Sequence, residues 1–263
     1  MSAERVSQRA FFGATALLFA TSATGTIWWC ASMSAMGEMP MPGGWTLSIA
    51  WTRMCGQTWS DAATSFLGMW ALMMVAMMLP SFAPVLWRYR AALGRTARMR
   101  RASLIALVGA GYFCVWTLFG MIAYAVGVAL VALEIQWPAL ARAVPITAAL
   151  VVIGGGALQL TAWKLRHLAC CRAAPAHGDA LPARPGTAWQ CGVRHGLHCG
   201  YCCAGLTAIL LVIGIMDLRA MALVTAAITA ERLVPAGERV ARGVGIAAVG
   251  AGVWLIIRAV VLV

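Results

Sequence analysis

Charge is what this sequence has least of. Only 11% of its 263 residues are charged, and just eight are acidic. A soluble domain averages roughly a quarter charged residues, so a soluble globular chain is excluded, and nothing marks off a separate soluble domain. There is no P-loop and no phosphorylation motif of an ion pump, which leaves any transport passive or secondary. The order Cys-x-x-Cys-His is absent, which removes a c-type haem. Lysine is almost missing too: nineteen of the twenty basic residues are arginine. They are not interleaved with aromatic residues on a solvated surface, so nucleic-acid binding is excluded.

What is present is apolar sequence. It amounts to 62% of the chain and comes in blocks of about 20 residues, the length that crosses a hydrocarbon core. The blocks predict helices over about 11–31, 62–87, 103–133, 144–163, 196–216, 220–231 and 244–263. The expected fold is therefore all-α: a polytopic transmembrane helix bundle of about seven spans, six if an end block is miscounted, forming a single transmembrane domain over 1–263. Pro80 and Pro84 fall in the second half of helix two, where a proline kinks a membrane helix and frees carbonyls. Asp217, Leu218 and Arg219 make a tight turn between spans five and six. Arg5 and Arg9 precede the first block as they would a signal peptide, but its length predicts an uncleaved helix.

The arginines set a topology. Arg88, Arg90, Arg95, Arg98, Arg100 and Arg101 crowd one loop. The loops 88–101, 164–194 and 232–242 are basic, whereas 32–60, 134–142 and 217–219 carry one basic residue each. By the positive-inside rule the N-terminus and the basic loops are cytoplasmic and the C-terminus lies outside. The net charge of +12 then reads as contact with anionic headgroups, which makes the lipid bilayer the first expected partner.

Six of the nine cysteines, Cys170, Cys171, Cys191, Cys199, Cys202 and Cys203, fall within 34 positions beside basic residues. On the cytoplasmic side thiols stay reduced, so the cluster suggests metal binding or thiol redox chemistry rather than disulfides. Its centre reads Arg194-His195-Gly196-Leu197-His198-Cys199-Gly200-Tyr201-Cys202-Cys203. On a helix His195, His198, Cys199 and Cys202 share a face, with Cys203 at its edge. Thiolate and imidazole suit Cu(I) and Zn(II), and a nearby helix start would favour thiolate. Cysteine also packs as a small apolar residue. That accounts for Cys114, but not for three cysteines and two histidines in nine positions. His167, Cys170 and Cys171 end helix four on the same side and could complete the site.

Helix two carries Met69, Met73 and Met77 at i, i+4 spacing, with Met74 and Met78 as a second column. Methionine commonly fills packing gaps. Here Met33, Met36, Met39, Met41 and Met54 enrich the outer loop as well, and thioethers favour Cu(I) over harder ions. The M-x-x-x-M helix resembles the methionine filter of eukaryotic copper transporters, although nothing else in the chain does. Among the carboxylates, Asp61 opens helix two, Asp217 sits in the turn, and Glu231 ends helix six beside Arg232. A carboxylate at membrane depth is a functional candidate.

Three motifs carry a family resemblance. The stretch W-A-L-M-M-V-A-M-M-L-P-S-F-A-P begins at Trp70, and L-Q-L-T-A-W-K-L-R-H-L begins at Leu158. The third runs from R-H-G-L-H-C-G-Y-C-C at Arg194 through A-I-T-A-E-R-L-V-P. In this order they resemble domain of unknown function 2182, a bacterial family of integral membrane proteins labelled metal-binding, over about residues 61–258. The resemblance implies a multi-pass protein of the bacterial inner membrane. Members usually carry a second cysteine near Cys170 and Cys171, and this adjacent pair departs from that pattern.

The expected function is handling of Cu(I), by binding, delivery or transport, with zinc as the second candidate ion. The expected ligands are His195, His198, Cys199, Cys202, Cys203, His167 and Cys170. Met69, Met73 and Met77 would serve as transit ligands, and Glu231 as a charge-balancing or proton-linked group. No residue is assigned a catalytic role. A metallochaperone or the subunits of a membrane metalloenzyme are the expected protein partners. The alternatives are a membrane thiol oxidoreductase using Cys199, Cys202 and Cys203, or an accessory or assembly subunit of a metalloenzyme.

Overall fold

The structure is a computed structural model that describes residues 2–34, 37, 39–42, 44–53, 56–94, 96–172 and 183–261. Met36, Met54 and Arg95 of the sequence reading lie outside these residues. The described residues form eight helices: α1 (Ser2–Ser34), α2 (Trp59–Ala92), α3 (Arg98–Gln136), α4 (Pro138–Gln159), α5 (Ala162–Arg172), α6 (Pro185–Ile213), α7 (Leu218–Leu233) and α8 (Gly237–Val261). Six of them, all but α5 and α7, are long and apolar enough to cross a membrane. The fold is all-α, as expected.

The 16-residue α7 is too short to join those six, yet it runs between the same two ends of the bundle. Beside its start, Met216 touches Cys30 near the end of α1. Near its other end, Arg232 reaches Ser81 in the second half of α2. Arg90 bonds Ser7, and Arg172 donates to the Val234 carbonyl at 2.8 Å. Together with the α2–α3 connection, these define an arginine face. The opposite face carries a short antiparallel hairpin of β1 (Met39–Met41) and β2 (Trp45–Leu47), pairing Met39 with Leu47. Trp45 Nε1 donates to the Ala141 carbonyl at 2.9 Å, which pins the hairpin over the start of α4.

Helix ends follow local chemistry. Thr58 and Asp61 form a reciprocal capping box on α2, and the Asp217 carboxylate accepts from the backbone N–H of Arg219 and Ala220 at the start of α7. Two of the three candidate carboxylates thus satisfy helix N-termini. Only Glu231 is buried within the bundle.

In lipid, helices associate through close packing of small residues rather than through the hydrophobic effect. Glycines therefore position α6. A Cβ on Gly192 would stand 2.2 Å from the Val108 carbonyl oxygen of α3, and one on Gly205 would stand 2.6 Å from the Gly155 oxygen of α4. The chain is held between α3 and α4 at backbone contact.

Two expectations need correction. The 164–194 segment was expected to be a loop, but it holds α5 and the first three turns of α6. Those turns carry Arg166, Arg172, Gln190 and Arg194, so they are helical without being apolar, and a search for apolar blocks passes over them. Consequently the histidine and cysteine cluster does not open a helix. Cys199 is the midpoint of α6, about 21 Å from either end at 1.5 Å per residue, so the start of α6 is far from its thiol.

Candidate metal centre

The α6 cysteines face inward. Cys199 and Cys203 are fully buried and Cys202 is 2% exposed. Cys199 Sγ lies 2.9 Å from the Tyr112 hydroxyl of α3 and 3.9 Å from Met78 Sδ of α2. Cys203 interacts electrostatically with Cys199 on the same helix. Cys171 of α5, buried at 3% exposure, interacts electrostatically with Cys202 and Cys199. Four helices thus bring four thiols, one thioether and one phenol together in mid-bundle.

Two cations lie inside this shell. Arg232 of α7 donates to Cys199 Sγ at 2.9 Å, to Cys203 Sγ at 3.2 Å and to Ser81 Oγ at 3.1 Å. Lys164, 1% exposed, donates to Glu231 Oε2 at 2.6 Å and to the Cys202 carbonyl at 2.8 Å. Gln159 Nε2 donates to Glu231 Oε1 at 2.8 Å. Both Glu231 oxygens are therefore engaged within the protein, and the carboxylate balances Lys164. On α5, which is not one of the long spans, burial opposes charge on Lys164. Cys202, Cys203 and Glu231 outweigh it and raise the pKa. The interaction with Cys202 and then burial push the Cys171 thiol well above the ordinary range.

The remaining expected ligands divide. His167 and His198 face each other, Nδ1 to Nδ1 at 3.4 Å, half-buried at the α5–α6 edge. Trp163 and Tyr201 pack on His167. His195 lies beside the stacked rings of Phe82 and Tyr112, at 5.5 and 5.9 Å, and its buried Nε2 has no hydrogen-bond partner in the protein. Cys170 is exposed, so it is Cys171 that joins the thiols. Met69, Met73 and Met77 are buried in α2. At 100° per residue, however, Met78 points roughly half a turn away from Met69, and Met78 is the methionine that meets Cys199.

Among the described residues no three His, Cys, Asp or Glu side chains stand in ready metal-holding geometry. The Arg232 guanidinium occupies the face that Cys199 and Cys203 share. Sequence reasoning gave no role to Arg232, Lys164, Gln159 or Tyr112, and it took Cys170 rather than its neighbour Cys171 into the ligand set. The lone lysine within the second motif and the arginine after Glu231 were the available signals, since buried cations within a membrane bundle demand partners.

A family model described as PpoB2, copper chaperone, matches residues 67–255. The chain belongs to that family. No curated protein and no solved structure matches it. The matched stretch of this copper chaperone family contains all three motifs and every sulfur of the buried centre. The match supports the expected resemblance to a metal-binding family at the level of a copper-related family.

Proposed function

We propose that the protein is a membrane copper chaperone that binds Cu(I) in the buried sulfur centre and releases it to a copper-requiring protein at the bacterial inner membrane. Cys199, Cys202, Cys203 and Cys171 are its thiol ligands, with the Met78 thioether beside them. One observation carries the reading: the Arg232 guanidinium lies on the thiols of a four-cysteine cluster in mid-bundle. Lys164 and Glu231 cancel, so Arg232 leaves one positive charge in a medium that penalises it heavily. Cu(I) held by two thiolates carries one negative charge, which Arg232 neutralises. Zn(II) would need three thiolates for the same balance. A cluster rich in thiol and thioether suits Cu(I) better.

The test is anaerobic purification of the intact protein, followed by metal analysis and titration with Cu(I) against a chromophoric chelator. Tight copper binding that Cys199→Ala with Cys202→Ala weakens by at least about 100-fold is expected, since two thiolate ligands are lost. A copper-free chain whose Cys171 and Cys202 purify joined as a disulfide would replace this reading with thiol redox chemistry. Undiminished binding in the double variant would move the site away from α6.

A further inference from the structure

A second group of sulfurs lies at the hairpin face, far from the thiol centre. A cavity of about 40 Å³ lies between α1, the start of α2, the segment after the hairpin and the turn that follows α6. A single water needs about 10–15 Å³ of such volume, so there is room for an ion. Met33, Met69 and Met216 line it. Cys30, one helical turn before Met33, is buried at 2% exposure and places Sγ 3.8 Å from Met216 Sδ. Four sulfurs from three separate parts of the chain thus converge.

Packing alone does not account for this arrangement. Methionine is the side chain best able to fill an irregular gap, yet here three methionines border a gap and leave it open. A metal–sulfur bond of roughly 2.3 Å puts two sulfurs of one ion about 3.8–4.0 Å apart at tetrahedral to trigonal angles. The Cys30–Met216 separation already has this value. Thr52, Gln57 and Ser65 put neutral oxygens in the lining, but none of the described lining residues is Asp, Glu or His. Hard cations are held chiefly through carboxylates, whereas thioethers select soft ones, Cu(I) above all.

We propose that this cavity is a receiving site for Cu(I), formed by Cys30, Met33, Met69 and Met216, and distinct from the thiol centre. The proposal rests on the copper reading of the protein. Three neutral thioethers and one thiol hold the ion more weakly than a thiolate cluster backed by Arg232, so copper entering here moves up a gradient of ligand strength. Met69 borders the cavity, and Met78 meets Cys199 about 14 Å further along α2 at 1.5 Å per residue. One helix thus contacts both sites.

The experiment uses the full-length protein in lipid nanodiscs, reduced and anaerobic, titrated with Cu(I) against a chromophoric chelator. About two copper ions per chain are expected for the native protein, and about one for either double variant, Met69→Leu with Met216→Leu or Cys199→Ala with Cys202→Ala. Leucine conserves the volume of methionine, so the first variant keeps its fold, and its melting temperature checks this. X-ray absorption on the second variant should find copper bound mainly by thioether sulfur. If native protein binds one ion, lost only with Cys199 and Cys202, the receiving site is overturned while the copper reading stands. If native protein binds none, the copper reading falls and takes this proposal with it.

Discussion

Lys164 and Glu231 hold each other at 2.6 Å with 1% exposure each. Removing one partner of a buried pair strands the other charge, at a cost of about 3–5 kcal/mol. Lys164→Ala should therefore lower the unfolding temperature in detergent sharply. Lys164→Met combined with Glu231→Gln should recover most of the loss. If the single variant melts like the native protein, the pair is not buried as described. The adjacent cysteines make a second prediction. Cys170 is exposed and Cys171 is not, so iodoacetamide should modify Cys170 in the native protein and Cys171 only after denaturation. Cys171→Ser should weaken copper binding where Cys170→Ser leaves it unchanged. Equal effects of the two substitutions would count against the thiol centre as drawn.

Among the elements, α6 bears the centre, and its position depends on backbone contact with α3 and α4. Gly205→Ala forces a Cβ to 2.6 Å from a carbonyl of α4, and overpacking of this kind costs about 1–3 kcal/mol. A lowered melting temperature with weakened copper binding is expected, because α6 must shift. Gly154 faces open space, so Gly154→Ala should be neutral or slightly stabilising. A neutral Gly205→Ala would show that α4 and α6 do not meet closely. The helices that apolar blocks announce were legible in the sequence, as was the α6 cysteine spacing, because periodicity and run length are local properties. The early start of α6 and the whole of α5 were not, since polar turns become helical here through contacts with other helices. Arg232 escaped notice, and Cys170 was chosen over Cys171, for the same reason: each residue acquires its meaning from a residue on another element.

For the molecule as a whole, the α6–α7 turn and the α7–α8 connection lie at opposite ends of the bundle. With the arginine face cytoplasmic, Leu218→Cys should react with an impermeant maleimide on intact cells. Ala236→Cys should react only after permeabilisation. The reverse pattern would invert the protein and make the hairpin-face cavity cytoplasmic.

Biosynthesis meets the Lys164–Glu231 pair in a particular order. The two residues are separated by 67 positions. At roughly 5–20 residues per second, several seconds pass between the appearance of the lysine and that of its counter-ion. During that interval α4 and α5 exist with an unpaired cation that the bilayer core rejects. The lysine end of that segment must wait at the headgroups or against the insertion machinery until α7 arrives. Settling of α5 into the bundle is therefore a late event in synthesis, and the four thiols come together only when nearly all of the chain has been made.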